Sequence, residues 1–168
     1  MPDVRPFLQI FTAGGTIDKG YRWQENGLDV CDPFVLDSLK LANVQFDYDV
    51  TSLLRKDSLE FTAADRDLIH KAVRDCPKPR ILLTHGTDTM VETALTLTAI
   101  PGKTIVMTGA MVPGRVIESD ATFNLGFAIS AAMLMPSGVY IAMHGVLFDP
   151  TRTRKNRQKG LFEKVETT

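Results

Sequence analysis

The sequence predicts an α/β domain in which a parallel sheet is covered by helices on both faces, Rossmann-like or flavodoxin-like. Three observations lead there. Short apolar runs of strand length alternate with helical patterns of about 10–15 residues, the layout of βαβ units and parallel pairing. Two of those runs, Phe7 to Phe11 and Ile81 to Leu83, pass directly into turns rich in glycine and threonine. The length of 168 residues suits one domain with a substantial core.

Residues 7 to 12 read as a buried strand. Residues 13 to 31 hold glycines, polar residues, Tyr21 and Trp23. A loop of that length in a compact domain reads as a lid. Asp32-Pro33 predicts a helix start, with Asp32 as cap and Pro33 in the first position, running to about Leu41. Val44 to Leu54 alternates as a second strand. Thr62 is expected to cap a helix from Ala63 to Cys76, with Asp65 in its first turn. Pro77 and Pro79 end it. Ile81 to Thr84 is a third strand, Thr89 to Ala99 a helix, and Thr104 to Thr108 a fourth strand. Ser119 or Asp120 starts a helix through Met135. Val139 to Met143 is a fifth strand. Val146 to Phe148 is expected to pair with a short strand near Leu161 to Val165.

Composition narrows the function classes. A formal net charge of −1 gives no global field to gather nucleic acid or an anionic membrane. The basic stretch from Arg152 to Lys159 lacks interleaved aromatic stacking platforms, so no nucleic-acid partner is expected. No run of about 18 apolar residues predicts a membrane span. The N-terminal stretch lacks a signal-peptide layout, which makes the cytoplasm the expected location. Cys31 and Cys76 form no CxxC or metal spacing and are expected to be free thiols. His70, His85 and His144 are scattered, and neither a metal nor a cofactor is expected.

The two turns carry the chemistry. In Ala13-Gly14-Gly15-Thr16-Ile17 the glycines allow a sharp bend after a strand and present the Thr16 hydroxyl. A threonine hydroxyl needs a neighbouring base to become nucleophilic. Tyr21, in the expected lid, is the nearest ionisable hydroxyl in sequence. The alternatives are a purely structural turn and a phosphate-binding turn; the second lacks G-x-G-x-x-G or GK[ST]. In His85-Gly86-Thr87-Asp88-Thr89-Met90 two hydroxyls flank a carboxylate. Here the alternative is helix capping by Thr87 or Asp88, with Glu92 in the first turn. A lysine beside this pair would complete a proton-handling group. Lys155 is one of several basic candidates that spacing alone does not separate.

Both turns resemble the signatures of the bacterial-type L-asparaginase/glutaminase family. Lys56-Asp57-Ser58-Leu59-Glu60, Thr108-Gly109-Ala110-Met111 and Thr153-Arg154-Lys155-Asn156 add to the likeness, which runs from about Leu8 to Asn156. The resemblance implies a single catalytic domain of the asparaginase N-terminal type over residues 1–168. It implies hydrolysis of L-asparagine to L-aspartate and ammonia, with Thr16 as nucleophile and Tyr21 activating it from the lid. Thr87, Asp88 and Lys155 would form the second hydroxyl–acid–amine group. Asp57 and Ser58 would hold the α-carboxylate and α-amino end of the substrate, with Asp88 also on the ammonium. The turns at Gly15 and Gly86 would line the pocket. Backbone N–H groups near Thr87 and Ala110 would face the developing oxyanion. A homo-oligomer, dimer or tetramer, and minor glutaminase activity belong to the same expectation.

The sequence departs from the family at three points. The chain ends at Thr168, where members of usual length continue into a C-terminal domain; a short single-domain form is expected, with a truncated form as the alternative. Glu60 stands where a shorter acid or an amide is usual, and His144 where asparagine is frequent. Two other function classes stay open: an amino-acid-binding module without turnover, and an ammonia-supplying subunit of a tRNA-dependent amidotransferase.

Overall fold

The computed structural model describes residues 6–24 and 26–165. Residues 1–5, which begin the stretch read for a signal peptide, lie outside the described residues, as do residues 166–168. Strands β1 (Phe7–Gly14), β2 (Lys19–Arg22) and β3 (Gly27–Val30) come first. Then come α1 (Phe34–Ala42), β4 (Asp47–Lys56), α2 (Ala63–Asp75), β5 (Arg80–Thr84) and α3 (Met90–Leu97). The chain continues through β6 (Thr104–Thr108), α4 (Ala121–Leu134), β7 (Gly138–Met143), β8 (Val146–Phe148), β9 (Thr153–Asn156) and β10 (Leu161–Lys164).

The main sheet has the order β4-β1-β5-β6-β7-β8, parallel throughout except for the antiparallel β8 edge. This is the doubly wound α/β order, and its strand sequence reverses between β1 and β5. Alternation along the strands sorts side chains to two faces. Ile81 and Leu83 join Ile105, Met107 and Ile141 under α2 and α3. Leu82, Val106 and Ala142 join Leu8 and Ile10 under α1 and α4. Buried on both sides, β5 and β6 read as continuous apolar runs, as parallel strands must.

Several local expectations change. The segment from 13 to 31 is not a bare loop: β2 and β3 pair in an antiparallel ribbon, Tyr21 opposite Leu28. Helix α1 is capped neither by Asp32 nor with Pro33 in its first turn. Pro33 is itself the residue before the helix, and Asp32 pairs with Arg55 at 2.9 Å. The first helical N–H, that of Phe34, is instead received by Asp18 Oδ1 at 2.8 Å. The Thr62–Asp65 capping box forms as read, with Lys56 Nζ 2.8 Å from Asp65. Asp120 precedes α4 but spends its carboxylate elsewhere, so it gives no side-chain cap. Strand β8 pairs with β7, Ile141 opposite Phe148, and not with the last strand. That strand, β10, pairs with β9, Phe162 opposite Lys155.

Candidate active site

The site forms where the strand order reverses, outside the C-terminal ends of β1 and β5. Glycine permits the approach there. Gly15, at φ 85°, lies so close to Gly86 that a Cβ on it would stand 2.3 Å from Gly86 Cα. A Cβ on Gly86 would in turn stand 2.5 Å from Ser58 Oγ. The two signature turns therefore touch backbone to backbone, and the Ser58 side chain of the turn after β4 fills the space against Gly86. Gly15 N–H donates to Lys56 O at 2.9 Å, and Thr89 Oγ1 to Ser58 O at 2.9 Å. Thr16 follows one contact residue and Thr87 the other, so both hydroxyls belong to the rim of one junction.

Thr16 is half-buried, and among the described residues its hydroxyl has no hydrogen-bond partner. Tyr21 is not brought to it. The Tyr21 hydroxyl donates to Asn26 Oδ1 at 2.8 Å, its ring stands edge-on to Trp23, and half of its surface is exposed. Both contacts lie within the β2–β3 ribbon.

The second group assembles across the chain. Lys155 Nζ donates to Thr87 Oγ1 at 2.7 Å and to Asp88 Oδ1 at 2.9 Å. The β9–β10 pairing holds Lys155 in place, and its side chain is largely buried. Helix capping is not the use made of this turn: Thr89 is the residue before α3, with no side-chain cap. An amine on a hydroxyl and a carboxylate at these distances can pass a proton or stabilise an oxyanion. Arg157, from the same basic stretch, places Nε 3.2 Å from the same Asp88 oxygen.

Asp57 accepts from Lys19 Nζ at 2.6 Å and from Leu59 N–H at 3.1 Å. Partial burial opposes ionisation, but the bond from Lys19, the Leu59 amide and the charges of Lys19 and Lys155 outweigh it. The Asp57 carboxyl is therefore held below its usual range. Ser58 is buried, and its Oγ has no partner. Ala110 is buried in the turn after β6. Asp120 braces that turn by accepting Met111 N–H and Val112 N–H, each at 3.0 Å. Asn124 adds bonds to Gly109 O at 3.1 Å and from His144 N–H at 3.1 Å. In the sequence Asp120, like Ser119, marks only a helix start, since a short-range signal exists only for that use.

His85 is fully buried, and burial pushes its imidazole down to about 4, so it is neutral. Its Nδ1 lies 2.7 Å from Gly86 O, which assigns the proton to Nδ1, and the ring meets Phe61 edge-on. Among the described residues no cluster of three or more His, Cys, Asp or Glu side chains is placed to hold a metal. No helix among them is long and apolar enough to cross a membrane.

Comparison with known proteins follows the same lines. The model of the asparaginase N-terminal domain matches residues 8–165. L-asparaginase 2 of Escherichia coli is 32% identical over 160 residues, 86% of this chain and 44% of that protein. The L-asparaginase of Thermococcus kodakarensis is 29% identical over 168 residues, 92% of this chain and 49% of that protein. The solved structure of the thermostable L-asparaginase from that organism superposes with a TM-score of 0.85 at 27% identity, over 96% of this chain and 52% of that one. The chain thus spans about half the length of the relatives it matches. With the doubly wound fold, the two threonine turns at its switch point and a family match over 8–165, this chain belongs to the asparaginase family and corresponds to its N-terminal domain.

Proposed function

We propose that the protein is an L-asparaginase, hydrolysing the side-chain amide of L-asparagine to L-aspartate and ammonia. The observation that supports this reading is the close approach of Gly15 to Gly86, whose next residues in the chain are Thr16 and a Thr87–Asp88 pair joined by Lys155. In this mechanism the Thr16 oxygen attacks the amide carbon and its proton passes to a neighbouring acceptor. The tetrahedral oxyanion is held by backbone N–H groups near Thr87 and Ala110. The amide nitrogen takes up that proton and leaves as ammonia on collapse, and the threonine ester that remains is hydrolysed by water. The Thr87–Asp88–Lys155 group shuttles the protons. In this reading Tyr21 activates Thr16 once its hydroxyl leaves Asn26, and closure of the β2–β3 ribbon would also exclude bulk water.

Asp57 and Ser58 hold the polar end of the substrate in this reading, which also includes a cytoplasmic homo-oligomer. Glutamine differs by one methylene, worth about 1–3 kcal/mol in a fitted pocket, so a minor glutaminase activity is included.

Ammonia release from L-asparagine and L-glutamine by the purified chain is the direct assay. Thr16→Ala, Thr87→Val and Lys155→Met are each expected to lower kcat by several orders of magnitude with the circular dichroism spectrum retained. Tyr21→Phe is expected to lower kcat more than it raises KM. Normal turnover by Thr16→Ala would sink the nucleophile assignment. A folded wild-type chain that binds asparagine calorimetrically without releasing ammonia would replace the enzyme with a binding module or a partner-dependent subunit.

A further inference from the structure

Asp18 joins four parts of the molecule that meet beside Thr16. Its N–H donates to Gly15 O at 3.1 Å and closes the turn that holds Thr16. Its C=O accepts Cys31 N–H at 2.9 Å, just past the end of β3. Its Oδ1 accepts the first amide of α1, that of Phe34, at 2.8 Å. The other strand of the ribbon, β2, starts at the next residue. These contacts leave little play. Ile17 is fully buried, and its C=O accepts Gly114 N–H at 3.1 Å. A Cβ on Gly114 would stand 2.4 Å from the Phe34 ring. Movement of the ribbon or of α1 is therefore passed through Asp18 to Thr16, two residues away.

The carboxyl of Asp18 is out of solvent, and the cations that reach it are committed elsewhere. They are Arg115, from the loop after β6, and more weakly Arg55, from β4. Arg55 pairs with Asp32 at 2.9 Å, and Arg115 with Asp37 of α1 at 2.9 Å. Arg115 also donates to Asp32 O at 3.0 Å and to Asp18 O at 3.5 Å. Lys19, next in the chain, pairs with Asp57, and the Cys31 thiol donates to Asp29 O at 3.4 Å. Burial without a counter-ion of its own keeps Asp18 neutral until the pH passes about 7. The ionised form then needs a counter-charge, which Arg115 can supply only by giving up Asp37.

We propose that Asp18 is a positioning residue for Thr16, and that it holds the nucleophile in place as the neutral acid. Ionisation draws Arg115 from Asp37, frees α1 from the loop after β6, and displaces Thr16 together with the base of the ribbon, so turnover falls. The inference rests on the amide-hydrolase reading and adds a proton-operated control of its nucleophile.

Ammonia release from L-asparagine between about pH 5.5 and 8.5 tests this in three chains, with folding checked at each pH by circular dichroism. The wild-type kcat is expected to fall by about tenfold or more as pH rises through about 7. Asp18→Asn keeps an acceptor for Phe34 N–H and has no proton to lose. Its kcat is expected to lie within about threefold of the wild-type value near pH 6 and to lack the fall. Asp18→Ala, without the acceptor, is expected to be about tenfold or more slower near pH 6, with KM changed less. Parallel pH profiles for wild type and Asp18→Asn, or an Asp18→Asn chain as slow as Asp18→Ala, overturn the proposal. If Asp18→Ala does not fold, the other two profiles decide. A second readout needs no turnover. Trp23, the single tryptophan of the chain, lies in the turn between β2 and β3 with its ring against Tyr21. Its emission is expected to step near pH 7 in the wild type and not in Asp18→Asn. His70 and His144 are present in both chains and cannot produce that difference. If no amide is hydrolysed at all, the amide-hydrolase reading fails and the emission decides. A step confined to the wild type then upholds the coupling of Asp18 to the ribbon, and no step, or the same step in both chains, overturns it.

Discussion

Gly15 shows how much can depend on one missing methyl group. Its φ of 85° lies in the region that side chains avoid, and a Cβ there would stand 2.3 Å from Gly86 Cα. Both the strain and the clash fall on backbone, which cannot rotate away. Gly15→Ala is expected to cost about 1–3 kcal/mol by denaturant unfolding and to lower turnover by displacing Thr16. An unchanged stability and rate would show that the junction can open. The glycine pair, Thr16 and Thr87 were all legible as residues that bend and present hydroxyls. Lys19 and Arg157 were not singled out, because a surface lysine or arginine has no local pattern that announces its partner. Their carboxylates lie 38 and 69 residues away in sequence, and only the fold supplies them.

Among the elements, the link between the first turn and α1 is the least expected. Asp18 sits in the single helical turn Thr16–Asp18, almost without exposure, and takes the place of a local cap by accepting the Phe34 N–H. Burial pushes its carboxyl up to about 7, against the opposing pull of the Phe34 amide and the charges of Arg115 and Arg55. A raised carboxyl pKa means that the folded chain keeps a proton that the unfolded chain releases near 3.8. Stability is therefore expected to fall as pH rises from about 4 to about 7. Asp18→Asn keeps an acceptor for Phe34 and removes the titration. Its melting temperature is expected to be flatter than that of the wild type across this window, and higher at pH 8. Equal pH slopes for both chains would count against a buried neutral Asp18. The α2 cap was legible because Thr62 and Asp65 are three residues apart. The α1 cap was hidden because its acceptor comes from another element.

The whole molecule places the chemistry by topology. Reversal of strand order between β1 and β5 leaves a crevice at their C-terminal ends, and the two signature turns enter it from opposite sides. The β9–β10 ribbon then returns Lys155 to Thr87, 68 residues back along the chain. One surface stays unaccounted for within a single copy. Helix α4 carries no charged residue, yet Phe123 and Leu134 are exposed on it, and Ile117 is exposed just before it. A helix apolar on all sides belongs in a buried setting. Together with the proposed homo-oligomer, this leads us to expect sedimentation at a multiple of the chain mass, reduced to the chain mass by Phe123→Lys with Leu134→Lys. Wild-type sedimentation at the chain mass would remove the oligomer.

The sequence by itself determined the fold class and the strand-ending turns that hold Thr16 and Thr87, since each depends on periodicity or on backbone freedom within a few residues. It also determined the α2 capping box and the apolar character of the central strands. Tertiary structure alone decided the pairing of β8 with β7 and of β10 with β9, because short strands of similar composition do not name their partners. It decided the selection of Lys155 from a run of basic residues, the diversion of Asp120 from capping to turn bracing, and the commitment of Tyr21 to Asn26. Most of all, it decided the charge balance of the site. Charges act through space at a few ångströms, and the distances that make Lys19 and Arg157 partners of Asp57 and Asp88 exist only once the chain has folded.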